Sequence, residues 1–244
     1  MTDQFGQHVG DGILSGKGPC PLMTSTPTDR PESMPDEASA SLCQMRAKRE
    51  QILQGAEKVF LASGYEGASM SQIAREAGVS KGTLYNHFDG KASLFSAFFE
   101  ERSKTKLAAI EAISREDGPD VHTSLRRLTE TAIKMMLHST SMDLYRIIVG
   151  EAGKFPNLAD AFWRYGFGRT LNNLSDWLRR RRDAGELQIE DPDFAAEQLM
   201  ILCQARIVHR RRLMLPVDDS PEAISRLANI TADSFMKIYG PHHQ

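Results

Sequence analysis

The sequence predicts an all-α chain, with a small N-terminal helix-turn-helix module followed by a larger C-terminal helical domain. Three observations carry this: residues 69–88 read as two capped helices around a tight turn, apolar residues recur at helical spacing from about residue 45 to the end, and no convincing strand pattern interrupts them. The 244 residues suffice for a small module and one larger domain, each with its own core. An apolar content of 41% and a charged content of 25% are those of a soluble globular protein. No apolar run reaches bilayer length, and the N-terminus lacks a signal peptide's basic and apolar regions, so no membrane role and a cytoplasmic location are expected. Cys20, Cys43 and Cys203 are an odd number without C-x-x-C spacing, which indicates neither a disulfide framework nor a metal site.

Residues 1–44 are rich in Gly, Pro, Ser and Thr, carry a net charge of −4 and show no apolar period, so a disordered extension is expected. Their acidity argues against a basic arm in the minor groove. Translation from Met23, Met34 or Met45 is a second reading of this segment. The module itself is expected over 45–106. Its first helix, from about Met45, places Ile52, Ala56, Val59, Phe60 and Ser63 on one face, with Gly64 as the stop and Tyr65 covering the small core.

Ser69 and Gln72 form an S-x-x-Q capping box that opens the next helix. Ile73, Ala74 and Ala77 give it an apolar stripe small enough for another helix to approach closely, and Gly78 suits the left-handed turn that ends it. Val79 plugs the corner, and Ser80 caps a second helix whose Leu84 and Phe88 point inward at i, i+4. Lys81, Thr83, Tyr85 and Asn86 are left on a donor-rich outer face. That is the plan of a DNA-reading helix pair, although two plainly packed helices would share most of it. From Lys91, the residues Leu94, Phe95, Phe98 and Phe99 form a core stripe on a long helix running to about Ile113.

The run G-T-L-Y-N-H-F, followed by Lys91 and Leu94-Phe95, resembles the DNA-binding domain of the TetR family of transcriptional regulators, and residues 46–106 follow that pattern. The resemblance implies phosphate contacts by Tyr85, His87 and Lys91, and base-edge contacts by Lys81, Gly82, Thr83 and Asn86. Ser69, Ser71 and Ser80 complete the expected DNA-facing set. Segment 46–106 has net charge +3 within a chain of formal net charge −2, which concentrates positive charge where DNA would lie.

The larger domain, 107–244, is expected to hold helices near 120–138, 141–153, 157–182, 192–214 and 221–239. Asp191-Pro192 and Ser220-Pro221 each place a cap before a first-turn proline. Residues from about Arg146 to Met214 resemble the ligand-binding half of the AefR-like subgroup within that family. The helix from Pro192 is apolar around its whole axis and must be covered on two sides, which predicts a homodimer through it and the next helix, with Leu199, Leu202, Cys203, Ile224, Leu227 and Phe235 at the interface. Met135, Met136, Phe162, Trp163, Phe167 and Trp177 are the candidates for lining an effector cavity, or equally a packed core. Arg179–Arg182 and His209–Arg212 read as solvated helix ends. No catalytic motif or cofactor signature is present, so a non-enzyme without a cofactor is expected. The resulting expectation is a dimeric, one-component regulator of a double-stranded palindromic DNA operator. Repression released by a small-molecule effector is expected ahead of activation, and a helical adaptor or architectural protein with a degenerate helix-turn-helix is the remaining alternative.

Overall fold

A computed structural model of the chain describes residues 37–115 and 120–241, and every described element is helical. The elements are α1 (Glu37–Gly67), α2 (Met70–Glu76), α3 (Lys81–His87), α4 (Lys91–Arg115), α5 (Val121–Leu137), α6 (Ser139–Glu151) and α7 (Pro156–Phe162). A π turn (Trp163–Phe167) leads into α8 (Gly168–Asp183), followed by α9 (Pro192–Cys203), α10 (Ile207–Arg212) and α11 (Pro221–Tyr239). The chain divides into two units after Lys48. Within the first, residues 37–48 form the opening of α1, so the helix starts ahead of the expected Met45, and residues 37–44 are helical rather than disordered. Alanines and Leu42 are good helix formers whose signal is diluted when averaged over the preceding Gly- and Pro-rich stretch. The expectations for residues 1–36 lie outside the described residues.

In the second unit, one core gathers the buried faces of α1 to α4. Ile52, Phe60, Ile73, Leu84, Phe95 and Phe98 are fully enclosed there. Each such side chain contributes about 1.5–3 kcal/mol of transfer free energy. Tyr65 stacks on Phe60 at 5.8 Å and meets Phe95 edge-on at 5.3 Å, so it closes this core as expected. The same core takes in Leu144 and Ile148 of α6 and Leu158 of α7, which makes the helix-turn-helix continuous with the larger domain. A second core joins α5, α8, α9 and α11 around Leu125, Ile133, Trp177, Leu199 and Phe235.

The close approach over the small residues of α2 is made by Gly55 of α1. A Cβ at Gly55 would lie 2.7 Å from the Ala77 Cβ and 2.8 Å from its backbone nitrogen, distances that require the backbone to move. Gly55→Ala is therefore expected to destabilise the chain by about 1–3 kcal/mol through overpacking, despite alanine's better helix propensity. Thermal denaturation reads this directly, and an unchanged or raised Tm would contradict it.

Two helices anticipated as continuous are modified. The run expected over 157–182 carries the π turn in its first half, and π turns recur at functional sites. The run expected over 192–214 breaks at Arg206, whose φ of 58° and ψ of −66°, with Ile207 N–H donating to the Ala205 carbonyl at 2.6 Å, define a strained γ-turn. That turn redirects the chain and gives α10 its own axis. No helix among the described residues is long and apolar enough to cross a membrane.

Candidate nucleic-acid interface and regulatory cavity

The caps read from the sequence are formed. Ser69 Oγ accepts from Gln72 N–H at 3.3 Å while Gln72 Oε1 accepts from Ser69 N–H at 2.9 Å, so the box closes in both directions. Gly78, at φ 62°, turns the chain in the left-handed region, and Gln51 Nε2 donates to the Ala77 carbonyl at 2.6 Å to tie the end of α2 to α1. Ser80 Oγ accepts from Thr83 N–H at 3.0 Å and lies 2.8 Å from Thr83 Oγ1. Leu84 is fully buried and Phe88 nearly so, with the Arg49 guanidinium 5.5 Å from the Phe88 ring centroid. These anchors fix which side of α3 faces out.

Lys81, Gly82, Tyr85 and Asn86 are exposed on that side, and Ser71 is exposed on α2. Among the described residues, the side chains of Lys81, Tyr85 and Asn86 have no hydrogen bond or ion pair, so their donors remain available. Tyr85 is 51% exposed. His87 is half-buried beside Phe88. The hydroxyls of Ser69, Ser80 and Thr83 are engaged in capping, which orients the helices instead of leaving free donors.

Lys91 differs from its expected role. Its ammonium is turned inward, donating to the carbonyls of Tyr65 at 2.7 Å, Glu66 at 3.2 Å and Ala68 at 3.0 Å, and lies 4.5 Å from the Tyr65 ring centroid. Its three N–H donors are thus all directed at the protein's own carbonyls. The family resemblance that implies a phosphate contact says nothing of these bonds, because the carbonyls arrive from a corner 23 or more residues away. Lys91→Ala is expected to cost about 2 kcal/mol of stability and leave the salt dependence of DNA binding unchanged. A salt slope lower by about one unit with stability intact would restore the phosphate role.

The same corner is held from its other side. Glu151, at the end of α6, accepts from Tyr65 N–H at 3.0 Å and from Glu66 N–H at 2.6 Å, while Lys154 pairs with Glu66 at 2.9 Å. Gly64 makes this possible twice over: its φ is 69°, and a Cβ there would sit 2.7 Å from Glu151 Oε1. Residues 64–68 therefore receive cationic donors at their carbonyls from α4 and anionic acceptors at their amides from α6. The corner leads straight into α2.

Nearer its start, α6 lines a cavity of about 110 Å³ in the larger domain. Of the residues expected there, Met135, Met136, Phe162 and Phe167 line it. Trp163 does not, being 56% exposed against Phe167, and Trp177 is a core residue with the Arg181 guanidinium 5.4 Å from its ring centroid. The lining also includes residues that helical periodicity does not single out: Phe99, Arg102 and Lys106 of α4, Tyr145 of α6 and Arg212 of α10. Arg212, expected on a solvated end, lies with its guanidinium carbon 3.8 Å from the Tyr145 ring centroid and donates to Gln204 Oε1. The γ-turn at Arg206 gives α10 the direction that allows this. Its signal in the sequence is slight, since Arg206 is neither glycine nor asparagine.

The interface residues are also placed differently. Leu199, Cys203, Ile224, Leu227 and Phe235 are buried in the chain's own core, and Leu202 is half-buried. Burial pushes the Cys203 thiol up to about 12, consistent with a small core residue. Phe194 (54%) and Ile201 (63%) remain exposed on α9, as does Ile230 (49%) on α11. Ala195, Ala196, Leu199 and Met200 face inward, while Phe194 and Ile201 stay outside.

Residues 52–98 match the family model described as bacterial regulatory proteins, tetR family, and residues 123–241 match that of the AefR-like transcriptional repressor, C-terminal domain. Over 65 residues the chain is 37% identical to the HTH-type transcriptional regulator TtgW of Pseudomonas putida, covering 27% of this chain and 48% of that protein. The chain spans about half or less of the length of such curated relatives. Among solved structures, a TetR-family transcriptional regulator from Mesorhizobium loti aligns with a TM-score of 0.74 at 26% identity, covering 81% of this chain and 99% of that one. The flavonoid-responsive regulator FrrA aligns with a TM-score of 0.69 at 28% identity over the same shares.

Proposed function

Because the chain belongs to the TetR family of bacterial regulatory proteins, we propose that it is a DNA-binding transcriptional repressor that docks α3 in the major groove and is released by a small molecule. The observation that carries this reading is the outer face of α3: Lys81, Tyr85 and Asn86 are exposed and unbonded, while Leu84 beneath them is locked in the core. Tyr85 and His87 contact backbone phosphates and set register; Lys81 and Asn86 reach guanine or adenine edges, with Gly82 leaving room for the groove wall. Two copies pair through the outer faces of α9 and α11, so that two α3 helices address half-sites about 34 Å apart or a small multiple of it.

The release step rests on connectivity. A molecule in the cavity lies against Ser141 and Tyr145 of α6, and the far end of that helix, Glu151, holds the corner from which α2 begins. A shift of α6 on binding would pull on that corner and change the separation of the two α3 helices. An effector works this way only through its different affinity for the two arrangements.

Fluorescence anisotropy with DNA from upstream of the protein's own coding sequence tests the reading. Affinity is expected to exceed that for a scrambled duplex by about a thousandfold at physiological salt, and to fall steeply as salt rises. Equal affinity for both duplexes would contradict sequence-specific regulation.

A further inference from the structure

The cavity beside α6 carries a charge pattern that a packed core does not need. Three cationic residues line it, Arg102, Lys106 and Arg212, and no Asp or Glu does. Arg102 is neutralised from outside the cavity, bonded to Glu57 at 2.9 Å and Glu50 at 3.1 Å. Lys106 and Arg212 are not. Among the described residues, Lys106 has only the Ser141 hydroxyl, at 3.0 Å, and Arg212 has Gln204, the Met136 sulfur at 4.0 Å and the Tyr145 ring. Both are half-buried, and burial pulls both below their ordinary pKa; no carboxylate offsets this for Arg212, and for Lys106 Glu57 does so only in part. Glu57, the carboxylate whose field reaches Lys106, is already committed to Arg102.

The remaining wall is apolar and polarisable, with Phe99, Met135, Met136, Phe162 and Phe167 facing the same space. A volume of about 110 Å³ lies below the roughly 150 Å³ of an apolar cavity that takes up benzene, which limits the apolar body to at most about one six-membered ring or a short alkyl chain. We infer that the effector of this cavity is a small amphipathic monoanion, a carboxylate on a one-ring or short-chain apolar body, with its charged end between Lys106 and Arg212 and its apolar end among Phe99, Phe162 and Phe167. This rests on the effector-responsive reading given above and goes beyond it by fixing the sign of the charge. A cationic or neutral effector would leave two desolvated cations without a counter-charge.

Calorimetric titration of the full chain with benzoate, hexanoate and the neutral isostere benzamide tests the assignment. At least one of the anions is expected to bind about tenfold or more tightly than benzamide at neutral pH, since a charge-assisted hydrogen bond in a partly buried site is worth at least that ratio. Lys106→Met should remove about tenfold of the anion's affinity and leave benzamide unaffected, and Lys106→Arg should retain it. Parity between anion and amide, or no saturable binding of either anion up to about 10 mM, would overturn the assignment whether or not the variants fold. So would an equal loss for anion and amide in a folded Lys106→Met protein. Operator binding measured on the same preparation separates this proposal from the one beneath it. A chain that binds DNA specifically but discriminates against anions fails here alone; one that prefers anions but has no specific DNA site fails as a regulator alone.

Discussion

Replacing Gly82 with leucine is expected to abolish specific operator binding while leaving the chain at least as stable as before. Gly82 is exposed in the first turn of α3, and a Cβ there would meet only Ser80 Oγ, at 3.7 Å, so the fold has room for a side chain. Leucine in place of glycine in a helix is worth up to about 1 kcal/mol of stability. The same side chain would stand between α3 and the groove wall and lift Lys81 and Asn86 off the base edges. Two or three base contacts, each worth about 1–3 kcal/mol of discrimination, would be lost together, for a drop in specific affinity of at least about a hundredfold. Thermal denaturation and anisotropy on one preparation read both quantities. A variant that binds within about threefold of the parent would show that α3 does not enter the groove by this edge.

Acidic substitution of the outer face of α9, Phe194→Asp with Ile201→Asp, is expected to convert a dimer into a folded monomer. Both side chains are more than half exposed, lie seven residues apart on one helix face and belong to neither core, so their loss inside a single chain costs little. Across a two-fold interface each substitution appears twice and places carboxylates in an apolar contact. Operator affinity should fall by about a hundredfold or more, because the second half-site is no longer tethered at high effective concentration. Sedimentation of the double variant as a dimer at micromolar concentration would exclude this face as the interface.

Legibility in the sequence differs by element, for physical reasons. Ser69, Gln72, Gly78 and Ser80 act on groups within four residues of themselves, so the two short helices and their turn are legible from spacing alone. The inward placement of Leu84 and Phe88 follows from the same local period. The family resemblance points Lys91 at phosphate, while the partners it has here, the carbonyls of Tyr65, Glu66 and Ala68, are distant in sequence and carry no side-chain signature. Glu151, which holds the amides of that corner, escapes sequence reading for the same reason.

The C-terminal half shows a second kind of limit. Helical periodicity identifies an apolar face but not which neighbour covers it. It marks α9 as apolar on more than one side, yet assigns to the partner Leu199 and Cys203, which are buried in the chain's own core. It likewise groups Trp177 with the cavity aromatics, although Trp177 packs beneath Arg181. Arg212 reads as solvated only on an unbroken helix to 214, and the γ-turn at Arg206 changes the phase of everything after it. Cations facing an apolar cavity violate the binary pattern, and such violations concentrate where a ligand is expected.

Selection of bound fragments from the genome with the full-length chain tests most directly whether two copies of α3 read a two-fold related DNA site. The expected result is enrichment of a palindrome, with half-sites about one helical turn apart or a small multiple of it, that is lost with Gly82→Leu. Enrichment that tracks only fragment length or base composition, or a single unrepeated half-site bound equally by the Phe194→Asp, Ile201→Asp variant, would contradict it.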